Sequence, residues 1–493
     1  MIVGSFVFFL LTFLCIGMLS TLKAQKSNKD YLLAGSNVAP WLAGLSAVAT
    51  SNSGFMFVGM IGTTYFYGLN SMWLGIGFVL GDYLASIFTH RRVRMITEEQ
   101  EVLSFGGVLA RWHGVEYRKV RFVSGVVTVL FLGTYAAAQF LSGSKALHVL
   151  FGWDYNAGAV IGAVMVFAYC MAGGIRASIW TDAAQSIVMF GSMALLCFMG
   201  LQHVGGLGAL WQQMEAIGPT YTQMFPTEVM DLQIGGVALP GLGIALFLAG
   251  WLFGGFGVIG QPHIMVRFMT VDKVENVNRV RAYYYGWYST FYLFTVVTGL
   301  IARVVLAKTE GFDSELALPT LAQALMPDVM IGLVLAGLFA ATMSTADSQI
   351  ISCSAAVTRD ILPHPPKNVW LTKLVTLSVT LIALGIVLLG VKRMFTLSMI
   401  GWSVLASAFG PLLFIYSINR RVSERTALTM MIGGTVAALV WRQVLGWSGI
   451  MYDIAPGMIT GLVVYGLSTL GGGAQDAAGE TPSTAEAAAG AAD

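Results

Sequence analysis

The stretch IGLVLAGLFAATMSTADSQIISCSAAVT, residues 331–358, is apolar enough to cross a membrane yet carries hydroxyl groups through its middle. At 100° per residue, five of its residues fall within one arc of about 100°; they are Ala341, Ser344, Thr345, Ser348 and Ser352. Asp347 lies at the edge of this stripe. A carboxylate near the bilayer centre costs roughly 2.5–3.5 kcal/mol on insertion scales, so it is expected to face a cavity or a partner. The stripe therefore indicates either a site for a hard cation such as Na⁺ or polar contacts between helices.

The composition of the chain excludes an ordinary soluble domain. Of its 493 residues, 56% are hydrophobic and 11% are charged, and the mean hydropathy is +0.74. Soluble domains average about 25% charged residues, so the composition predicts an all-α polytopic protein embedded in a lipid bilayer. The sequence contains no basic run with interleaved aromatic residues, so we expect no nucleic-acid partner. No G-x-S-x-G or H-E-x-x-H motif is present, so we expect no enzyme activity.

Apolar stretches long enough to span a bilayer occur about 13 times along the chain. They lie near 2–22, 41–68, 71–90, 121–142, 157–174, 180–201, 240–263, 283–306, 328–358, 371–390, 395–418, 426–441 and 454–470. Most Lys and Arg residues lie on one side of these spans, in loops such as 91–121 and 267–281. The positive-inside rule then predicts an outer N-terminus and a cytoplasmic C-terminus.

Two of the spans look broken. The second span contains Thr50-Ser51-Asn52-Ser53-Gly54 at its centre, where polar side chains compete with the helix for hydrogen bonds. The seventh span, from Pro240 to Ile264, is dense in glycine, which fits either a break or close helix packing. The two spans are five apart and cross in opposite directions. This arrangement is typical of the leucine-transporter-type inverted five-helix repeat, here formed by the second to eleventh spans.

The span pattern predicts six parts of the chain. They are an extra N-terminal helix and cytoplasmic loop (1–40), the first five-helix repeat (41–201), an extracellular loop (202–239), the second repeat (240–418), two C-terminal helices (419–470) and a disordered cytoplasmic tail (471–493).

Several motifs resemble the sodium:solute symporter family, and most closely its sodium/proline symporter branch. They are DYLLAG (30–35), LSAVATSNSG (45–54), GGIRASIWTD (173–182), GQPHIMVRFM (260–269), AATMSTADSQ (340–349), AFGP (408–411) and VWRQVLGWSGIMYDIAPG (440–457). The resemblance covers roughly residues 30–470 and implies sodium-coupled uptake of a small organic solute across the cytoplasmic (inner) membrane by alternating access.

The resemblance also implies site residues. The sodium site corresponds to Ala49, Asn52, Ala341, Ser344 and Thr345. Some members of the family bind a second sodium ion beside an aspartate, which here implies a site formed by Asp182, Asp347 and Ser348. The alternative role for Asp182 is that of a helix N-cap or first-turn acid, which the helix dipole would stabilise.

The substrate pocket implied by the resemblance consists of Ser53, Gly54, Phe55, Tyr135, Gly254 and Gly257. Proline symporters have tryptophans at the positions of Phe55 and Gly254 and an aspartate at that of Ser51. These departures predict a wider and differently charged pocket. Proline or a related amino acid is the first expectation for the substrate. A monocarboxylate, pantothenate or a similar organic acid is the alternative, and a transporter-like sensor is the second alternative.

Overall fold

The computed structural model describes residues 1–470 apart from 24, 26, 235, 307–311 and 391–393, so the predicted tail (471–493) lies outside the described residues. Its helices and strands, in chain order, are α1 (Ile2–Ser20), α2 (Asn28–Leu33), α3 (Pro40–Gly54), α4 (Ile61–Tyr67), α5 (Met72–Glu99), α6 (Phe105–Arg111), α7 (Arg118–Val127), α8 (Gly133–Phe151), α9 (Tyr155–Val204), α10 (Leu207–Ile217), α11 (Pro219–Thr222), α12 (Thr227–Met230), β1 (Gln233–Ile234), β2 (Val237–Ala238), α13 (Pro240–Phe256), α14 (Pro262–Met269), α15 (Val277–Leu306), α16 (Ala317–Leu325), α17 (Asp328–Ala355), α18 (Val369–Leu388), α19 (Met394–Ser417), α20 (Glu424–Leu439) and α21 (Ile454–Leu470). The two strands form an antiparallel hairpin with Gln233 opposite Ala238.

The predicted polytopic all-α fold is confirmed. Ten helical runs among the described residues are long and apolar enough to cross a membrane. Two of these runs, Pro40–Glu99 and Tyr155–Val204, each contain two of the predicted spans. The last predicted span is the shorter helix Ile454–Leu470. The expected number of about 13 therefore differs from ten because some spans follow each other without a loop.

Both predicted breaks are present. In the first, Ser53 has non-helical dihedral angles (φ 48°, ψ 178°), and a π-helical turn at Phe55–Met60 separates α3 from α4. In the second, α13 gives way to a 3₁₀ turn at Gly257–Gly260, and Gln261 is extended before α14 begins at Pro262. Proline suits the first position of a helix, because a backbone N–H at that position would have no partner within the helix and its absence costs nothing.

A third break lies inside α9 at Gly174, which has φ 57° and ψ −140°. This glycine falls at the boundary between the predicted spans 157–174 and 180–201. A Cβ atom at Gly174 would lie 2.6 Å from Cδ2 of Tyr31, so glycine is required both for the dihedral angles and for the close approach of α2.

The stripe-bearing helix α17 lies in the middle of the bundle. It packs against α1, α3, α8 and α9. Every residue from Ile331 to Ala355 except Leu333 is buried. Because the polar groups of α17 are shielded from both lipid and water, their partners must come from the helix itself or from neighbouring helices.

Gly174 provides a test of the break in α9. We expect Gly174→Ala to lower the free energy of unfolding by more than about 1 kcal/mol, because alanine is strained at positive φ. The control is Gly191→Ala in the same helix, where a Cβ would meet no atom within 4 Å. That change should be neutral or stabilising, by up to about 1 kcal/mol. Thermal unfolding in detergent measures both, and equal shifts would contradict this account of Gly174.

Candidate functional site

The break at Ser53 redirects a backbone hydrogen bond. In a continuous helix the N–H of Gly54 would donate to the carbonyl of Thr50. Here it donates instead to Oε1 of Gln139, 2.9 Å away. The carbonyl of Thr50 accepts from the hydroxyl of Thr345 at 2.9 Å. The first broken helix is therefore joined to α17 through a main-chain oxygen next to the break.

Four of the five predicted sodium ligands meet at this junction. The hydroxyl of Ser344 lies 3.2 Å from the carbonyls of both Ala49 and Ala341. The hydroxyl of Thr345 lies 3.1 Å from the same Ala341 carbonyl. All four residues are fully buried. Uncharged oxygen atoms from two helices thus converge on one point, which suits a hard monovalent cation.

The fifth predicted ligand, Asn52, lies on the same segment. Its amide nitrogen donates to the carbonyl of Val48 at 2.7 Å. Its side-chain oxygen is buried without a hydrogen-bond partner. A buried acceptor without a donor is unfavourable, and a bound cation would satisfy it. The residues present therefore fit a sodium ion.

The residues of the predicted second cation site also come together, but around a guanidinium group. Nη2 of Arg267 lies 3.0 Å from Oδ2 of Asp182 and 3.8 Å from Oδ1 of Asp347. It also lies 2.5 Å from the hydroxyl of Ser178 and contacts that of Ser348. All five side chains are buried. Arg267 already supplies positive charge between the two carboxylates.

Sequence analysis missed Arg267, although a signal was available. An arginine in an apolar segment needs an anionic partner, and the chain has few carboxylates within its spans. Asp182 does not lie in the first turn of a helix, because it is in the interior of α9. Its Oδ2 also accepts from the hydroxyl of Ser46 at 2.6 Å, which connects the cluster to α3.

A small cavity of about 20 Å³ lies on the other side of the break, among residues of the predicted substrate pocket. Three predicted residues line it, namely Ser53, Phe55 and Tyr135. The phenol of Tyr135 donates to the hydroxyl of Ser53 at 3.2 Å. The lining residues that sequence analysis did not include are Ser51, Met56, Phe78, Tyr288, Tyr292, Ser398, Met399 and Trp402.

The three glycines of the predicted pocket do not line this cavity. A Cβ on Gly54 would lie 2.8 Å from Cγ2 of Thr342, and one on Gly257 would lie 2.6 Å from Cβ of Ala406. At Gly254 it would lie 2.8 Å from the ring of Phe78. These glycines allow close helix packing, which for Gly254 and Gly257 was the alternative interpretation of the seventh span.

The small cavity is narrow, whereas the missing tryptophans predict a wide pocket. The ring of Phe78 packs beside Trp402 and Tyr452, with centroid distances of 5.8 Å and 6.4 Å. Trp402 donates its indole N–H to the carbonyl of Gly254 at 3.3 Å. Aromatic side chains from other helices therefore fill the space that a tryptophan at position 254 would occupy.

A larger cavity of about 980 Å³ adjoins the small one, and Met399 lines both. Lys145 on its wall forms ion pairs with Asp313 at 2.9 Å and Glu315 at 2.5 Å. These ion pairs connect α8 to the segment before α16. The large cavity leads from the surface towards the pocket at the break.

A family model provides an independent comparison. The model described as the sodium:solute symporter family matches residues 31–434. The chain belongs to the sodium:solute symporter family. It is therefore a transporter rather than an enzyme, and its helices cross the membrane several times.

Curated relatives match this symporter along most of its length. The high-affinity proline transporter PutP of Bacillus subtilis (strain 168) is 28% identical over 452 residues, which cover 90% of this chain and 92% of the relative. The sodium/proline symporter of Escherichia coli (strain K12) is 29% identical over 464 residues, with 90% and 89% covered.

Solved structures show the same fold. A substrate-bound, outward-open Na⁺-coupled sialic acid symporter has a TM-score of 0.77 and 21% identity, and the match covers 94% of this chain and 98% of that one. The nucleobase-cation-symport-1 transporter Mhp1, closed with bromovinylhydantoin bound, has a TM-score of 0.58 and 15% identity, with 94% and 98% covered. The predicted leucine-transporter-type fold is confirmed.

The buried ion pair can be tested by a double-mutant cycle. Arg267→Gln leaves two buried carboxylates without a cation, so we expect it to destabilise the symporter by about 3–5 kcal/mol. In the Arg267→Gln background, Asp182→Asn should lower the free energy of unfolding by less than it does in the wild type. The coupling energy should exceed about 0.5 kcal/mol. Thermal unfolding in detergent gives the four values. The exposed Arg279→Gln is the control for loss of one positive charge. Additive effects would show that the pair does not act as a unit.

Proposed function

We propose that this symporter imports a small amino acid, proline or a close relative, together with sodium by alternating access. The observation that carries the proposal is the junction of α3 and α17. There, hydroxyls of Ser344 and Thr345 meet carbonyls of Ala49 and Thr50 beside the break. Sodium would bind among Ala49, Asn52, Ala341, Ser344 and Thr345.

The same break couples the ion to the substrate. Ser53 is three residues after Thr50, and its hydroxyl faces Tyr135 in the small cavity. A sodium ion that holds the carbonyl oxygens before the break restricts the dihedral angles of Ser53. The pocket is then complete only when sodium is bound, which is the physical basis of coupled binding.

The proposed coupling uses one sodium ion at the main site. A second ion among Asp182, Asp347 and Ser348 would require the Arg267 guanidinium to leave, since that group lies 3.0 Å from Asp182. One positive charge moving down 100 mV releases about 2.3 kcal/mol. This corresponds to a substrate concentration ratio of roughly 50.

The pocket chemistry favours an amino acid over an organic acid. No charged side chain lines the small cavity in the part of the chain that the structure describes. A zwitterion carries no net charge, whereas a monocarboxylate or pantothenate would bring an anion into the same pocket. An uncompensated charge is costly to bury. The names of the relatives, which are proline transporters, support the same choice.

The proposed setting is the cytoplasmic (inner) membrane, with the N-terminus outside and the C-terminus in the cytoplasm. The basic loops 91–121 and 267–281 support this orientation by the positive-inside rule. The large cavity then opens to the outside, because Lys145 on its wall and the loop of Asp313 belong to the opposite set of loops.

Uptake of labelled proline into proteoliposomes tests this proposal. We expect accumulation with an inward Na⁺ gradient and none with K⁺ alone. Thr345→Ala should raise the half-saturating Na⁺ concentration roughly 10- to 150-fold, since a hydrogen bond to a charged group contributes about 1.5–3 kcal/mol.

The control is Ser354→Ala on the same helix, because that buried hydroxyl donates to the carbonyl of Ile350 within its own helix at 2.7 Å. It should leave the Na⁺ dependence unchanged. Accumulation driven by a proton gradient alone would contradict sodium coupling. Inhibition of uptake by pantothenate or monocarboxylates, with none by proline, would contradict an amino acid as the substrate and support an organic acid instead.

A further inference from the structure

A second small cavity lies where the stripe-bearing helix ends. Its volume is about 10 Å³. Four parts of the chain enclose it, namely the start of α6, the turn at Thr128, α14 and the last turns of α17. Its polar lining consists of Ser104, Thr128, Ser352 and Asp360.

The cavity includes Ser352, the last residue of the hydroxyl stripe that also carries Ser344 and Ser348. Asp360 lies eight residues after Ser352, about 80° further around the helix. The π-helical turn Ala356–Ile361 carries Asp360 at its end. At 1.5 Å per residue, Asp360 lies about 22 Å along the helix from Thr345. The surface begins directly afterwards, because residues 363–365 are exposed.

The Asp360 carboxylate is held in a fixed position. Its Oδ1 accepts from the hydroxyl of Ser104 at 2.6 Å. A Cβ on Gly106 would lie 2.6 Å from its Oδ2, and one on Gly125 would lie 2.9 Å from its Cβ. The side chain therefore occupies a slot between two glycines that no larger residue would allow.

Ser352 on the opposite wall has an unused hydroxyl. The residue is only 7% exposed, and its Oγ has no hydrogen-bond partner. Other hydroxyls of this helix, such as those of Ser354 and Thr358, bond to carbonyls of their own helix. A buried hydroxyl that lines a cavity without a partner indicates that another group completes it.

Charged side chains surround Asp360 without touching it. Arg121, Glu116 and Arg359 lie close enough to act on it electrostatically. Arg121 is already paired with Glu116 at 3.0 Å. Among the described residues, Asp360 itself forms no ion pair within 4 Å, so no cationic group contacts its carboxylate directly.

We propose that Asp360, Ser352, Thr128 and Ser104 form a second, weaker binding site for Na⁺, occupied as the ion leaves towards the basic end of the molecule. The inference rests on the proposed function, because it takes sodium as the transported ion. The cavity has room for about one water-sized particle. One carboxylate with three hydroxyls suits a monovalent hard cation. No group of three or more His, Cys, Asp or Glu residues that would indicate a higher-valent metal occurs in the described chain.

Equilibrium binding of ²²Na⁺ to the purified full chain tests the site. We expect two components in the wild type, a tight one and a weak one. Asp360→Asn should raise the Kd of the weak component by at least about tenfold, and Ser352→Ala should weaken it as well. Both variants should keep the tight component, which Thr345→Ala weakens. Ser354→Ala, the matched control, should keep both.

The outcomes separate this inference from the proposed function. A single binding component that is unchanged in Asp360→Asn and Ser352→Ala would overturn the second site. A weak component that is lost in Asp182→Asn but kept in Asp360→Asn would overturn it as well. Absence of any saturable Na⁺ binding would overturn the proposed function itself.

A measurement on the unaltered chain covers the case in which Asp360→Asn fails to fold. Anomalous diffraction from crystals soaked with Tl⁺, a monovalent probe, should give one peak among Ala49, Ser344 and Thr345 and another between Ser352 and Asp360. A peak at the first position alone would mean that the second cavity holds only water.

Discussion

The structure depends on one redirected hydrogen bond. Because Ser53 adopts a positive φ, the N–H of Gly54 turns away from Thr50 and donates to Gln139. A non-glycine residue in such a conformation costs about 1–3 kcal/mol and persists only when its surroundings stabilise it. Gln139 and Tyr135 on α8 supply part of that support, and the hydroxyls of α17 supply the rest. The break is thus stabilised from both sides, by α8 next to the proposed substrate pocket and by α17 at the proposed sodium site.

The polar groups of α17 follow from this arrangement. A fully buried helix in a membrane protein gains little from hydroxyl groups unless they meet unpaired backbone or charge. Thr345 and Ser344 meet the carbonyls before the break, whereas Ser348 and Asp347 meet Arg267. Successive turns of one helix therefore contact first the ion site and then the buried ion-pair cluster. A movement of α17 against α3 would disturb both together, as alternating access requires.

Much of the fold could be predicted because it is encoded locally. The break in the second span was visible as Thr50–Gly54, and that in the seventh span as glycines followed by Gln261-Pro262. Span number was less certain, since Gly174 turns α9 without any loop to mark it. Ser344 and Thr345 could be predicted as sodium ligands because the family motif and the helical stripe agree on them.

The remaining features depend on contacts between distant segments. Nothing local to Arg267 shows that it lies between Asp182 and Asp347, because three separate helices bring them together. The surroundings of the predicted pocket glycines depend on distant segments in the same way. Gly254 and Gly257 were interpreted as pocket walls, but residues from α5 and α19 determine what they face. The aromatic residues that fill the pocket, Phe78 and Trp402, come from those helices.

The central claim is that sodium binds between the break and α17, and amide hydrogen exchange tests it most directly. Exchange is compared in Na⁺ and in K⁺ at equal ionic strength, without substrate. The account predicts that Na⁺ slows exchange in the segments 49–56 and 341–348, while the segment 183–200 of α9 is unchanged. Protection confined to other segments, or equal exchange in the two salts, would contradict it.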